Sequence, residues 1–491
     1  MESQLPALVI VVPLIAAPIC IALRRPGLTL GFALAVVWAV FAMAIKLELT
    51  VLDQGVVTYA MGDWSAPWGI EYRLDTLGSF VMTLVAGMGA VVLTYARSSL
   101  ASEIPREKLY LFLSTYLLAM TGLLGICITG DLFNLFVFLE ISALSSYALI
   151  SMGSDRRALT ASFQYLILGT IGATFILIGI GLTYMVTGTL NMADMAARIG
   201  EVGLSRTVLA AFGFLTVGVA IKMALFPLHV WLPNAYTFAP SVVTAFLAAT
   251  ATKVSVYVFF RFIFTVYGPD YGPEDARLDS VLIPLALVGI FVASTVAIFQ
   301  RNIKRMLAYS SIAQVGYMAV GIGFATVTGL TGGIVHLFNH ALIKGGLFLA
   351  MGSIFLRIGS VDIRDMHGLG RRMPWTMFAW VLGGLGLIGV PATAGFISKW
   401  YLIQAALESD LWPVAALMLI SSLLALVYVW RVIEVAYFLQ PDRPVDRCEA
   451  PPLMLLGTWV LIGASLFFGI FTDYSAGVAR RAAEMLLGVV S

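Results

Sequence analysis

Charge is scarce in this 491-residue chain, because only 11% of its residues are Asp, Glu, Lys or Arg while 60% are hydrophobic. A soluble domain carries roughly 25% charged residues, so the composition indicates an integral membrane protein. The net charge of +2 and the lack of a basic tail argue against a nucleic-acid partner. We therefore expect the lipid bilayer to surround most of the chain.

Cysteine is also rare, with three residues far apart at Cys20, Cys127 and Cys448. Their spacing fits neither a disulfide framework nor a metal site, and we expect no metal or cofactor. The sequence also lacks a phosphate-binding loop, a dinucleotide-binding motif and an activated nucleophile. These absences argue against an enzyme and indicate that an ion gradient or a partner supplies the energy for any transport.

Long apolar runs fill most of the chain. About fourteen of them are near 20 residues long, enough to cross a hydrocarbon layer of ~30 Å as helices. The first run lacks a basic start and a cleavage site, so we interpret it as a retained span rather than a signal peptide. Residues 51–73 contain Trp64 and Trp68 and are predicted to form a hairpin or loop outside the membrane. The predicted segments are 5–23, 28–48, 75–96, 109–128, 131–152, 161–186, 206–226, 241–264, 279–299, 306–326, 330–356, 374–407 (interrupted), 411–438 and 454–472.

Arginine and lysine cluster in every second loop, for example at 24–25, 156–157 and 301–305, while an intervening loop, 270–275, is acidic. Loops rich in Lys and Arg stay on the cytoplasmic side of a membrane. This alternation predicts that both termini lie on the outer face.

Two of the segments are interrupted at positions that correspond in two halves of the chain. Segment 7 runs into Pro227, and segment 12 is broken at Pro391. Lys222 precedes the first break and Lys399 follows the second. Freed backbone groups are tolerated in a membrane only against protein or a wet cavity, and paired broken helices mark inverted repeats around an ion site. A weak sequence similarity between segments that are five apart also indicates an inverted repeat.

Four of the seven lysines lie inside apolar segments, where a charge is costly and indicates a functional site. A buried lysine can release its proton, whereas arginine effectively cannot. We therefore predict that these lysines carry protons through the membrane. The four are Lys222, Lys253, Lys344 and Lys399, and the other three, Lys46, Lys108 and Lys304, are placed at segment ends or in loops.

Glu140 lies inside segment 5 and is the candidate partner of Lys222. Together they form an ion pair whose separation would lower the proton affinity of the lysine. The alternative is a static salt bridge that holds two helices together. Buried ion pairs stabilise poorly compared with apolar packing, so we favour the switchable pair.

His336, His340 and Lys344 are four residues apart, so they stack on one helical face over ~12 Å. Two histidines one turn apart can ligate zinc. The segment offers no third ligand, and Asn339 in the same stripe suits a hydrated proton relay. We favour the relay, with a metal site as the alternative.

Further residues are candidates for gating or accessory roles. His229 flanks the first break beside Pro227 and either gates water or caps a helix, and Pro391 marks the second break. Arg431 and Glu434 are three residues apart near the inner end of segment 13, where a local ion pair is the expected arrangement.

The sequence resembles the antiporter-like proton-channel family shared by respiratory complex I, membrane-bound hydrogenases and Mrp-type multisubunit cation/proton antiporters. The resemblance covers essentially the whole chain and rests on residues 130–140, 227–233 and 336–344 in combination. Within the family the chain is most similar to the D-type component of the Mrp sodium/proton antiporter, on residues 130–140, the loop 187–194 and the total length.

The resemblance implies an all-α integral membrane protein with about fourteen transmembrane helices and two inverted five-helix repeats, segments 4–8 and 9–13, each with a broken helix. It implies four regions: 1–108 with three helices and an outer hairpin, 109–264 and 279–438 as the two channel units, and 454–491 as the last helix and tail. The implied proton path contains Glu140, Lys222, Lys253, His336, His340, Lys344 and Lys399.

The function expected from this resemblance is proton translocation by one subunit of a multisubunit sodium/proton antiporter in a bacterial inner membrane. The expected partners are the other membrane subunits, with protons and Na⁺ as the transported ions. Hard cations prefer oxygen ligands, and buried carboxylates are few, so we expect Na⁺ to pass elsewhere.

Three alternatives stay open. The first is the same channel module in respiratory complex I, a membrane-bound hydrogenase or an inorganic-carbon uptake complex, where the chain would be part of a translocase. The second is a stand-alone transporter of an organic solute. The third is a passive structural anchor.

Overall fold

The computed structural model describes residues 4–203, 205–269, 271, 278–439 and 447–489, and it is almost entirely helical. The predicted acidic loop 270–275 lies mostly outside these residues. A two-stranded antiparallel hairpin, paired from Val57 opposite Leu74 to Ala60 opposite Glu71, confirms the predicted hairpin. The N-terminal region consists of α1 (Leu5–Leu23), α2 (Pro26–Gln54), β1 (Val57–Ala60), β2 (Glu71–Leu74) and α3 (Thr76–Glu103).

The first five-helix unit begins directly after α3. Its five membrane segments comprise eight helices, because two segments are broken in two and the short helix α7 lies between α6 and α8. The unit contains two broken segments, one made of α8 and α9 and one made of α10 and α11, and the second of these continues into a π-helix over Arg261–Val266. The helices are α4 (Leu109–Ile128), α5 (Leu132–Ser151), α6 (Arg157–Thr187), α7 (Met192–Val202), α8 (Arg206–Lys222), α9 (Trp231–Phe238), α10 (Ser241–Ala249) and α11 (Ala251–Phe260).

The second unit is followed by two C-terminal helices. Its broken segment is made of α16 and α17. The helices are α12 (Leu278–Phe299), α13 (Ile303–Phe324), α14 (Val327–Ile358), α15 (Leu369–Arg372), α16 (Pro374–Ile388), α17 (Ala394–Glu408), α18 (Trp412–Tyr437), α19 (Pro452–Ile470) and α20 (Asp473–Leu486).

Twelve spans within the described residues are long and apolar enough to cross a membrane, and one of them, Ser241–Val266, contains the break between α10 and α11. The other two predicted segments, 206–238 and 374–408, are also broken, and their individual helices are shorter. Counting each broken pair as one crossing gives the fourteen predicted transmembrane segments.

The inverted repeat is visible in two matching backbone contacts. Asp131 and Asn191 form an isolated antiparallel bridge, and so do Asn302 and Asp362. The same number of residues separates Asp131 from Asn302 and Asn191 from Asp362. Each of the four side chains accepts a hydrogen bond from a backbone N–H two or three residues later and so caps the helical turn that follows.

Five crossings separate α5 from α13, so the two bridges lie on opposite faces of the bundle. Thr129 is bridged to Tyr72 of the hairpin, which places the first bridge beside β1 and β2. We call this side the hairpin face and the other the opposite face.

The core is centred on α14, which packs against α3, α10, α13, α16, α17, α19 and α20. Every residue from 329 to 354 is buried. A helix buried on all sides ordinarily carries apolar residues throughout, yet α14 carries two histidines and a lysine here.

Candidate functional site

The first break, residues 223–230, interrupts segment 7 directly after Lys222. Ala224 has a positive φ of 59°, and Pro227 supplies no N–H to continue the helix. The indole of Trp231 donates to the carbonyl of Ile221 at 2.9 Å. This hydrogen bond satisfies a carbonyl at the end of α8, beyond which the helix does not continue. The break therefore leaves Lys222 as the last helical residue.

Lys222 and Glu140 form the ion pair that the sequence predicted. The Nζ of Lys222 lies 3.1 Å from Oε1 of Glu140, and the side chains are 5% and 26% exposed respectively. The pair joins α5 to the end of α8. The lysine is thus shielded while the carboxylate keeps partial access to the surroundings of the bundle.

A cavity of about 20 Å³ lies beside Lys222 and reaches α11. That volume holds about one water molecule. Hydroxyl groups of Ser142, Ser146, Tyr165 and Ser255 belong to its lining residues. This small polar cavity links the ion pair to the helix that carries Lys253.

Lys253 follows an interruption that the sequence did not predict. Segment 8 breaks at Thr250, where φ is −122° and ψ is −59°, between α10 and α11. The Nζ of Lys253 donates to the carbonyl of Ala248, near the end of α10, and to Oγ1 of Thr252 at 3.3 Å. The lysine side chain thus fills the place of a backbone donor at this helix end.

His336, His340 and Lys344 form the predicted buried stripe on α14. The two imidazole rings are nearly parallel, with 5.9 Å between centroids and an interplanar angle of 10°. Lone pairs of parallel rings lie in parallel planes and do not converge on one ion, which favours the relay over the metal site. Lys344 Nζ donates to the carbonyl of Leu307 on α13 at 2.7 Å.

The stripe keeps polar atoms that no described residue satisfies. They are Nε2 of His336, both ring nitrogens of His340 and Oδ1 of Asn339. Buried polar atoms ordinarily have a protein or water partner. A row of unpartnered nitrogen and oxygen atoms is suited to binding water along α14.

The second break, residues 389–393, interrupts segment 12. Gly389 and Ala392 have positive φ angles of 88° and 68°. The Nζ of Lys399 donates to the carbonyl of Leu387 at 3.2 Å, to that of Ile388 at 2.8 Å and to the hydroxyl of Ser422 at 2.9 Å. A cation is favourable at a helix C-terminus, and here it lies at the end of α16.

The structure connects the histidine stripe with its lysines in a specific order. Electrostatically, His340 interacts with Lys253 and Lys344, while His336 interacts with Lys253 and Lys399. Lys399 is therefore closer to the His336 end of the stripe. Lys344 lies on the other side of His340, toward the opposite face.

Two residues between His336 and Lys399 were not predicted from the sequence. Ser398 Oγ lies 2.8 Å from Nδ1 of His336. The ring of Tyr317 is 5.4 Å from that of His336, and the Nζ of Lys399 lies 4.9 Å from its centroid. Ser398 directly precedes Lys399 in the sequence, whereas Tyr317 carries no local signal that distinguishes it from other buried tyrosines.

A buried ion pair between Arg261 and Asp75 was also missed. It fastens the π-helix after α11 to the start of α3, and Arg261 further donates to Tyr257 at 2.9 Å. Lys304, placed at a segment end by the sequence, does lie at the start of α13 but is buried.

The accessory candidates are spread over the bundle rather than gathered at one site. Pro227 and Pro391 are exposed at the two breaks. His229 stacks on Phe226, with ring centroids 5.3 Å apart, and does not cap a helix through its side chain. Arg431 and Glu434 both lie on α18 but form no ion pair with each other among the described residues, so the expected local pair is absent there.

Comparison with known sequences places the chain in a family. The family described as NADH:quinone oxidoreductase/Mrp antiporter, TM matches residues 129–425. NADH-quinone oxidoreductase subunit N of Desulforudis audaxviator is 44% identical over 490 residues, which are 96% of this chain and 97% of that protein. The D-type component of the Na⁺/H⁺ antiporter of Alkalihalophilus pseudofirmus is 31% identical over 440 residues, 88% of this chain and 87% of that protein.

Two solved structures share the fold over the full length. A chain of the membrane-bound sulfane sulfur reductase, an archaeal respiratory membrane complex, superposes with a TM-score of 0.91 at 30% identity, covering 99% of this chain and 98% of that one. A chain of the Mrp complex from Dietzia sp. gives 0.90 at 26% identity, covering 99% and 97%. The chain therefore belongs to the NADH:quinone oxidoreductase/Mrp antiporter family of multi-pass, antiporter-like membrane subunits.

Proposed function

We propose that this chain translocates protons through its buried lysines and histidines as one subunit of a multisubunit membrane complex. The observation that carries the proposal is the Glu140–Lys222 ion pair at the first broken helix, followed by lysines at two further helix ends. Intramembrane ionisable residues that pair with each other or with backbone carbonyls mark ion pathways.

The first step is a change in the Glu140–Lys222 distance. Two unit charges 4 Å apart attract by about 4 kcal/mol at an effective dielectric constant of 20. Separating the pair therefore lowers the proton affinity of Lys222, and the proton passes through water in the adjoining cavity toward Lys253. Closing the pair restores the affinity and draws in the next proton.

The later steps use the stripe on α14. Lys253 and Lys399 each contact carbonyls rather than a described carboxylate. An ammonium and a neutral amine both present N–H donors to a carbonyl, so these lysines keep a partner in either protonation state. The proton passes from Lys253 through His340 and His336 to Lys399, with Ser398 bridging the last gap.

We infer that the opposite face is the inner face of a bacterial cell membrane and that both termini lie outside. Basic residues cluster in the loops of the opposite face, at 24–25, 106–108, 156–157 and 301–305, and such clusters stay cytoplasmic. A cysteine-accessibility experiment on Ser65 of the hairpin tests this, because an impermeant thiol reagent should label a cysteine there only from outside.

A sodium/proton antiporter is the first candidate for the complex. The D-type component of such an antiporter aligns with 88% of the chain, and a chain of the Mrp complex superposes over 99% of it. With one carboxylate on the lysine route, oxygen ligands for Na⁺ are scarce, so we place Na⁺ in a neighbouring subunit.

A redox-driven complex is the second candidate, because a subunit of an NADH-quinone oxidoreductase is 44% identical over almost the whole chain. The chain would then carry the protons of a translocase whose redox chemistry occurs in other subunits. The two candidates share the route and differ in what drives it.

The deciding experiment is proton flux in vesicles that contain the complete complex. A Na⁺ gradient should drive flux in an antiporter, whereas an electron donor and quinone should drive it in a redox complex. Replacing Lys222 by alanine should lower either flux by at least about tenfold. Transport of an organic solute by the purified chain alone would support the stand-alone transporter, and unchanged proton flux without Lys222 would support the structural anchor.

A further inference from the structure

Lys304 is a fifth buried lysine that the proposed route does not use. It is 5% exposed and lies in the first turn of α13, two residues after the N-cap residue Asn302. A helix N-terminus carries partial positive charge, so this is an unfavourable position for a cation. Its Nζ donates to the carbonyl of Ala239 at 3.1 Å and forms no ion pair with any residue in the described ranges. Packing alone does not account for a lysine there.

Lys304 lines a cavity of about 330 Å³ at the opposite face, which we call the vestibule. The vestibule lies between the α5–α6 turn, the corner joining α9 to α10, the start of α13 and the loop after α14. It has room for several water molecules. The residues that matter for its chemistry are Glu103, Asp155, Lys304, Phe355 and Asp362.

The rim carboxylates of the vestibule are already paired. Arg157 and Arg364 lie 2.6 Å and 3.1 Å from Asp155 and Asp362. These hydrogen bonds lower the pKa of each carboxyl below its ordinary value, so both stay ionised at neutral pH. They are therefore not the partners of Lys304.

Glu103 is the remaining carboxylate in the vestibule. Its two oxygens accept hydrogen bonds from Ser99 Oγ at 2.7 Å and from the N–H of Ser241 at 2.8 Å. Ser241 is the first residue of α10, and Ala239 directly follows α9 at the corner. Glu103 therefore contacts the α10 side of this corner, and Lys304 contacts its α9 side. The helix that follows α10 is α11, which carries Lys253.

Lys304 lies about one helical turn before Leu307, the residue whose carbonyl Lys344 contacts. Leu307, three residues later, accepts the hydrogen bond from Lys344 Nζ at 2.7 Å, and one turn of α-helix rises ~5.4 Å. Lys344 in turn interacts electrostatically with His340. Lys304, the Leu307 contact of Lys344 and His340 thus follow one another from the vestibule toward the histidine stripe, on a line that includes neither Glu140 nor Lys222.

We propose that the vestibule is a second proton mouth, and that Lys304 exchanges protons between vestibule water and Lys344. The neutral amine of Lys304 takes a proton from a hydronium ion in the vestibule, which becomes water. The resulting ammonium passes that proton through water to the neutral amine of Lys344 and is itself left neutral. The second unit thereby exchanges protons directly with the opposite face, an inference that rests on the proposed function.

Replacing Lys304 by arginine is the first test, in the complete complex in vesicles. Arginine keeps the positive charge and the donors to Ala239 but does not release a proton. Because a positioned proton-transfer group contributes about 10² or more, Lys304→Arg should lower proton flux at least about tenfold. The matched control is Lys108→Arg, an exposed lysine on the same face. Wild-type flux in the Lys304→Arg complex would overturn the proposal.

Blocking the vestibule is the second test and does not depend on altering Lys304. In a Cys448→Ser background, Ser154→Cys places a thiol on the vestibule lining. A bulky impermeant thiol reagent should reduce flux severalfold when added on the opposite face, whereas Ser65→Cys on the hairpin should be insensitive to the same label. Full labelling of Ser154→Cys with unchanged flux would contradict the proposal.

These outcomes separate the second mouth from the main route. Loss of flux on removing Lys222 together with normal flux in both vestibule tests would reject the second mouth alone. Normal flux in the Lys222, Lys304 and Ser154 variants would reject the lysine route itself.

Discussion

In the first five-helix unit, the ammonium of Lys222 lies 3.1 Å from the carboxylate of Glu140, whereas in the second unit Lys399 meets two helix-end carbonyls and a serine hydroxyl. The backbone arrangement of the two units is nevertheless the same. Each has a bridge between two helix-capping side chains, and each has a broken segment beside its lysine.

The two units also differ at one position on the second helix of each. Glu140 lies nine residues after Asp131, which caps α5. The same step from Asn302, which caps α13, leads to Ser311. The second unit therefore has a hydroxyl where the first has a carboxylate.

The repeat thus preserves the backbone while the charges diverge. A carboxylate stabilises the charged form of its lysine, so in the proposed route the first unit holds a proton until the pair separates. Carbonyls and hydroxyls accept hydrogen bonds from both forms of an amine. The second unit is therefore suited to passing protons on, and the first to controlling their uptake.

The largest effect is expected when the pair of the first unit is broken. Lys222→Ala leaves Glu140 without its cation and removes the first proton carrier, so proton flux should fall by at least about tenfold. Lys108→Ala, at an exposed position, is the control. Flux should be measured with a pH-sensitive dye in vesicles that contain equal amounts of assembled complex.

The next largest effect is expected at the lysine of the second unit. Lys399→Arg keeps a cation at the end of α16 but does not release its proton, so flux should fall about fivefold or more, within the range of a proton-transfer group. Thermal stability should change little, because the carbonyl contacts are retained. A normal flux would show that Lys399 only caps the broken helix.

Making the second unit resemble the first should also slow transport. Ser311 Oγ and Lys344 Nζ both donate to the carbonyl of Leu307, at 3.0 Å and 2.7 Å, so Ser311→Glu places a carboxylate next to Lys344. An adjacent carboxylate favours the charged lysine and should reduce flux by roughly threefold. Ser311→Gln, of the same shape but neutral, should have a smaller effect. Equal effects of the two variants would indicate crowding instead of charge.

A smaller effect is expected from Tyr317→Phe. The substitution keeps the ring beside Lys399 and His336 but removes the hydroxyl that pairs with Ser421. Loss of one hydrogen bond changes free energies by about 1 kcal/mol, so flux should fall by less than about fivefold. A complete loss of flux would instead place the Tyr317 hydroxyl on the proton route itself.

The smallest effect is expected from Arg431→Ala and Glu434→Ala. Arg431 is only half-buried, Glu434 is exposed, and the two form no ion pair with each other. Exposed charges contribute about 0–1 kcal/mol, so flux and thermal stability should stay near wild type. A large loss in either would reveal a contact with another subunit.

The features that could be predicted from the sequence are those that its local chemistry determines. Apolar runs of sufficient length identified the spans, and Pro227 and Pro391 marked two breaks because proline removes a backbone donor. The Glu140–Lys222 pair was predictable because an isolated charge in a membrane needs a partner.

The features that were missed depend on packing. The break at Thr250 contains neither proline nor glycine, so no residue type marks it in the sequence. In the structure, the carbonyl of Ala248 beside the break accepts a hydrogen bond from the Nζ of Lys253. Lys304 looks like a loop lysine in sequence, whereas in the structure it is buried and lines a cavity together with the turns at 153–157 and 359–362. The ion pair of Asp75 and Arg261 joins positions remote in sequence, which a local pattern does not report.

In the proposed route Lys253 connects the first ion pair with the α14 stripe, so its replacement tests whether one chain of lysines carries protons through both units. The measurement is proton flux in vesicles with the complete complex carrying Lys253→Met, an apolar side chain of similar length, after confirming wild-type assembly. We predict that gradient-driven or electron-driven proton flux falls by at least about tenfold while the complex stays intact. Wild-type flux through an assembled Lys253→Met complex would contradict a continuous lysine route.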